Sequence, residues 1–119
     1  MTLEEREAAV TQCVEEARKF PHFTHYVNQV SGMPLLLHKH GLGQMLAYLQ
    51  MRGGNRRSSP HELIFQQVAR RLAQVYPLPG DNLLDHLTQV DSQQYRRLTE
   101  EAGAFLLRLR QALKEAKRA

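Results

Sequence analysis

The chain has 119 residues and 13.7 kDa, enough for one domain to bury a core without metal or disulfide staples. Its single cysteine, Cys13, excludes a disulfide framework and a cysteine-type zinc site, which fits a reducing, cytoplasmic compartment. The net charge of +4 is uneven: residues 1–20 hold five acids and three bases, so the positive excess falls entirely on the remainder.

Nothing in the chain approaches the roughly 18 apolar residues that span a bilayer. The opening MTLEEREAAV is acidic where a signal peptide carries positive charge. A protein neither secreted nor membrane-inserted is expected. Arginine outnumbers lysine by 12 to 4, and the planar guanidinium grips phosphate through two parallel hydrogen bonds where an ammonium acts as a point charge. That bias suits a nucleic-acid partner.

In chain order, Thr2 and Glu5 form a capping box, and Leu3, Val10, Cys13, Val14 and Ala17 recur at helical spacing. A first helix over 3–19 follows, ended by Pro21. Phe23, Tyr26, Val27 and Val30 predict a short second helix that closes at SGMP. A third helix starts at Pro34, whose missing N–H costs nothing in a first turn, and continues to about Arg52, where Gly53 and Gly54 stop it. Ser59, Pro60 and Glu62 combine an N-cap, a first-turn proline and a capping-box carboxylate. The fourth helix therefore begins there and runs to about Tyr76, with Leu63, Ile64, Phe65, Val68, Leu72 and Val75 inward. PLPGD is a turn and LLDHL one or two helical turns. Asp91 and Gln94 open a last long helix carrying Tyr95, Leu98, Ala102, Phe105, Leu109 and Ala116. With no alternating strand pattern, the fold class is all-α, a single compact bundle of five or six helices over residues 1–119.

Catalytic signals are weak. GLGQML begins like a dinucleotide fingerprint, but Leu46 stands at the third glycine position and no strand precedes it. His22 and His25 sit three apart, and His38 and His40 two apart, without the carboxylate company a metal site requires. Cys13 falls on an apolar stripe and reads as a small buried hydrophobe. No catalytic residue, metal or cofactor is expected.

Binding signals are stronger. On the fourth helix Gln66, Gln67, Arg70 and Gln74 lie opposite the apolar face, giving a polar surface with amides and arginine but no acid, as phosphate and sugar contacts favour. From residue 39 to 71 the charged residues are Lys39, Arg52, Arg56, Arg57, Arg70 and Arg71 against Glu62 alone. These six are the candidate nucleic-acid contacts. Arg56 and Arg57 ride on a glycine-hinged turn able to follow a phosphate backbone. Tyr48 is the one aromatic nearby, too little for a base-stacking platform.

The stretch PLLLHKHGLGQMLAYLQMR carries a resemblance. A proline, a short apolar run, Gly-Leu, a glutamine, then Leu-Ala-aromatic-Leu and a base resembles the signature of the Cmr small-subunit family of type III-B CRISPR effector complexes. The matching positions are Pro34, Gly41, Leu42, Gln44, Leu46, Ala47, Tyr48, Leu49 and Arg52. The chain departs from the pattern at His40, Met45 and Tyr48. The resemblance implies a subunit without catalysis whose copies stack beside a filament of backbone subunits and line the channel where guide RNA pairs with target RNA. Its partners would be those RNAs, other copies of itself and the backbone and large subunits of the complex. It implies too that Gly41 and Gly43 permit close helix approach and that the arginine loop faces RNA or a neighbour. The small subunit of the related type III-A complex and a helical nucleic-acid-binding regulator are the alternatives.

Charge asymmetry adds an expectation about assembly. The first helix is net negative, whereas residues 108–119 carry five bases against Glu115. Opposite charges on different surfaces favour head-to-tail stacking, with Glu15 and Glu16 meeting Lys117 and Arg118 of the next copy.

Overall fold

The computed structural model describes residues 3–54, 56, 58–76 and 83–118, with side chains to residue 116. These form α1 (Leu3–Arg18), α2 (Phe23–Gly53), α3 (Pro60–Val75), α4 (Leu83–Leu87) and α5 (Ser92–Arg118), with no strand among the described residues. The capping box at Thr2 and the PLPGD turn lie outside them.

The helix break expected at SGMP is absent. Pro34 lies inside α2, and the chain breaks instead at Gly41, whose φ of 85° and ψ of 170° belong to no helix. An internal proline removes one hydrogen bond and crowds the preceding turn, at about 3 kcal/mol. Val30, Met33 and Leu37 flank it on one buried stripe, and each such side chain returns about 1.5–3 kcal/mol on burial. Burial wins, and the helix runs through. At Gly41 the geometry is one that essentially only glycine adopts. α2 is therefore two limbs, 23–40 and 42–53.

The limbs fold back on each other. His25 and Tyr48 approach the same His61 ring, with centroids at 6.2 and 5.8 Å, so they lie within about 12 Å; along a straight helix, 23 residues would separate them by about 35 Å. The second limb begins with unsatisfied backbone donors. One of them, the Gly43 N–H, donates to the Tyr95 hydroxyl of α5 at 2.9 Å. A Cβ on Gly43 would sit 3.4 Å from that oxygen, so the expected close approach is present. Gly41→Ala should lower the urea-unfolding stability by about 1–3 kcal/mol, whereas Gly32→Ala, at an exposed position with open space around it, should raise it by about 0.5–1 kcal/mol. Equal behaviour of the two variants would refute the turn at Gly41.

α3 starts as its sequence dictates. Ser59 has extended backbone, its Oγ accepts the Glu62 N–H at 3.4 Å, and Pro60 follows. The Glu62 carboxylate accepts from the Gln66 amide at 2.9 Å, while the Ser59 N–H donates to the Arg56 carbonyl at 3.0 Å. The capping box is thus half made. Gly54, in the left-handed conformation, closes α2 with its N–H on the Gln50 carbonyl. A side chain at Gly53 would stand 2.9 Å from the Glu62 nitrogen, so the end of α2 and the start of α3 touch backbone to backbone. α5 opens with a complete box, Asp91 Oδ1 accepting from Gln94 N and Gln94 Oε1 from Asp91 N.

One core joins the helices. Tyr26, Val30, Leu42, Met45, Leu46 and Leu49 of α2 meet Ile64, Val68 and Leu72 of α3 and Leu98, Phe105, Leu106 and Leu109 of α5. α1 adds Val10, Cys13 and Ala17, while Leu3, expected on its stripe, is 71% exposed. α1 and α5 run side by side in the same direction: Glu7 pairs with Arg108, and beyond them Val14 and Arg18 share a groove with Ala112 and Glu115.

Candidate nucleic-acid interface

The polar face of α3 is divided: Gln66 and Gln74 are exposed, whereas Gln67 and Arg70 are engaged by other helices. Gln67 is buried, accepting from the Tyr26 hydroxyl at 2.5 Å and donating to Glu16 at 3.1 Å. Arg70 clamps Glu16 with two 2.8 Å hydrogen bonds. Arg71 is 2% exposed and donates to Glu101 at 3.1 Å, and Arg6 grips the same carboxylate from the other side at 2.9 and 3.0 Å. Glu16 of α1 supplies the acid that this face lacks, and Glu101 of α5 answers the buried Arg71. Arg71, a candidate contact, is therefore not accessible at the surface, and Arg70 is half-buried and committed to a carboxylate.

The electrostatics follow from these contacts. The hydrogen bonds from Arg70 hold the Glu16 carboxyl below its ordinary range. Burial alone would raise Glu101, but the hydrogen bonds and charges of Arg6 and Arg71 outweigh it and leave the carboxyl lowered. Burial pushes the Cys13 thiol up to about 11, so it stays protonated and unreactive at neutral pH. Its role is packing, as its place on the stripe predicts.

Of the six candidate contacts, the exposed Arg52 and Arg56 lie together elsewhere. Because the limbs of α2 fold back at Gly41, His25 at the start of the first limb comes beside Arg52 at the end of the second. With Arg56, Ser58, Ser59 and His61 they line a recess of about 300 Å³ at the corner between α2 and α3. The Arg52 guanidinium lies over the Tyr48 ring at 5.8 Å, which occupies that face of the one aromatic nearby. Arg56 is tethered across the end of α2, donating to the Gly53 and Arg52 carbonyls at 3.4 and 3.3 Å. Among the described residues neither arginine is in an ion pair. Among the described residues no carboxylate lines the recess.

His61 reports the resulting field. Its Nε2 is buried and lacks a hydrogen-bond partner, and burial, reinforced by Arg52, His25 and Arg56, lowers its pKa from the ordinary histidine value. No sequence signal pairs His25 with His61, because they are 36 positions apart and meet only through the reversal at Gly41. Lys39 is exposed beside that reversal, and the second limb from Leu42 carries Arg52 about 15 Å away from it at helical rise. The structure therefore does not join Lys39 to the arginines. Arg57 lies outside the described residues.

The charged segments expected on separate surfaces are neighbours. Arg108, in the basic tail, donates to Glu7, in the acidic helix, at 2.6 and 2.9 Å. Glu15 is exposed beside the groove between α1 and α5, and Glu16 is held by Arg70. The side chains of Lys117 and Arg118 lie outside the described ones. Among the described residues, no three His, Cys, Asp or Glu side chains are grouped to hold a metal ion, and no helix is long and apolar enough to cross a membrane.

The fold and its arginine-lined corner thus define a small all-α protein with a recess lined by two arginines and two histidines, and no metal-binding cluster among its described residues. Residues 3–114 match the family model described as CRISPR-associated protein (Cas_Cmr5). The chain belongs to that family. No curated protein and no solved structure matches it.

Proposed function

We propose that the chain is the non-catalytic small subunit of a type III-B CRISPR RNA-guided effector complex in the cytoplasm. Several copies stack along the channel where guide RNA pairs with target RNA, beside the backbone and large subunits. Basic side chains of each copy contact RNA phosphates without reading bases. The observation that carries this reading is the pair Arg52 and Arg56, free of carboxylate partners at one corner, in a chain of the Cas_Cmr5 family.

Lys39, at the elbow of α2, is a separate contact along the same RNA, and Arg57, next in sequence to Arg56, is another. Arg70 and Arg71 act instead in holding the bundle together, Arg71 wholly so. For stacking, Glu15 remains the acidic contact offered to a neighbouring copy, with Lys117 and Arg118 as its basic counterparts. Glu16 contributes less, because Arg70 already neutralises it.

Reconstitution tests the reading. Mixed with the other Cmr subunits and guide RNA, the chain should co-elute in more than one copy per complex. Alone it should leave RNA intact with or without divalent metal. Failure to enter the complex, or RNA cleavage by the free chain that a point change in it abolishes, would overturn the proposal.

A further inference from the structure

We propose that the recess formed by His25, Arg52, Arg56, Ser58 and His61 seats a single phosphate group of the RNA backbone and takes up a proton as it does so. The inference rests on the reading that this corner meets RNA, and it goes further by naming the seat, its occupant and the proton linkage. Two guanidiniums supply forked donors matched to a tetrahedral oxyanion. The Ser58 hydroxyl adds a neutral donor, and the recess opens at the first turn of α3, where the backbone dipoles favour negative charge. No carboxylate lines it to compete. Glu62, the acid in that turn, is hydrogen-bonded to Gln66.

The second observation is His61 itself. Its Nε2 is buried without a partner. From α2 it faces His25, Tyr48 and Arg52, from the loop Arg56, and on its own helix Glu62 is the next residue. Arg52, His25 and Arg56 all disfavour a proton on the ring, and together with burial they hold its pKa down. A phosphate seated among them cancels that repulsion, so the ring binds a proton more readily with the anion in place. By linkage, the anion then binds more tightly as pH falls through the histidine range. One proton taken up corresponds to at most about tenfold in affinity per pH unit.

The test is an NMR pH titration of the histidine ring signals of the full chain, first with inorganic phosphate and then with a short single-stranded RNA at matched ionic strength. The RNA should move the His61 titration upward, at lower concentration than inorganic phosphate does. RNA affinity should strengthen from pH 7.5 to 5.5 in the native chain and in His38→Gln/His40→Gln, and this gain should be lost in His61→Gln, with circular dichroism showing each variant folded. A His61 titration that neither ligand moves would overturn the seat. Movement by inorganic phosphate but not by RNA would overturn the RNA backbone as its occupant. If RNA binding survives on Arg52 and Arg56 without moving His61, the seat falls while the proposed function stands.

Discussion

Glu101→Ala should destabilise the chain by about 3–5 kcal/mol, the cost of removing one partner from a buried ion pair. Total stabilities of small domains are about 5–15 kcal/mol, so the variant should be largely unfolded in urea concentrations that leave the native chain intact. The side chain of Glu101 is 1% exposed and is held between Arg6 and Arg71. Its removal leaves the Arg71 guanidinium enclosed without a counter-charge, and one nitrogen of that group, Nη2, already lacks a partner. A coordinated change, Arg71→Met with Glu101→Leu, should recover much of the loss, because apolar side chains of similar volume dispense with the desolvation cost. If Glu101→Ala unfolds at the native urea midpoint, the buried pair is not part of the folded state.

The same carboxylate sets an acid limit. Its pKa in the folded chain lies below the ordinary 4.5, so its contribution is present above the unfolded value and is lost as pH falls through the folded one. Glu7 and Glu16 are lowered too, each chiefly by hydrogen bonds from an arginine, and act in the same direction. Stability should therefore fall below about pH 4.5, and the Glu101→Ala chain should show a shallower fall.

Local signals are legible in the sequence and long-range ones are not. The starts of α3 and α5 are written in neighbouring residues, Ser59 with Pro60 and Asp91 with Gln94, and both stand where those signals place them. The break in α2 falls elsewhere than the sequence suggests because Pro34 is a local signal for a helix start, while the buried stripe that overrides it depends on partners in α3 and α5. Close packing at Gly41 is a sequence-level expectation, yet its positive φ is decided by the fold-back of the two limbs. The acid-free face of α3 is the clearest case. A helical wheel counts charges on one helix, and the carboxylates that answer Arg70 and Arg71 arrive from residues 16 and 101. The family signature makes physical sense in the structure. Gly41 makes the turn, Leu42, Leu46 and Leu49 are buried, and Tyr48 carries Arg52 on its ring.

The proposed function places the RNA-facing surface at the corner between α2 and α3. Charge-assisted hydrogen bonds are worth about 1.5–3 kcal/mol each, so Arg52→Glu/Arg56→Glu should weaken RNA binding by about a hundredfold or more. It should also lower the salt slope by about 0.7 for each single-strand phosphate that is no longer neutralised. Neither side chain is buried, so the variant should fold and enter the complex. Lys19→Glu/Lys114→Glu makes the same change in net charge at exposed positions of the α1–α5 side. The most direct measurement is RNA affinity against salt for complexes reconstituted with each variant. A large drop in affinity and a reduced slope for the arginine pair, with the lysine pair close to native, is the predicted result. Equal drops, or a drop confined to the lysine pair, would contradict it.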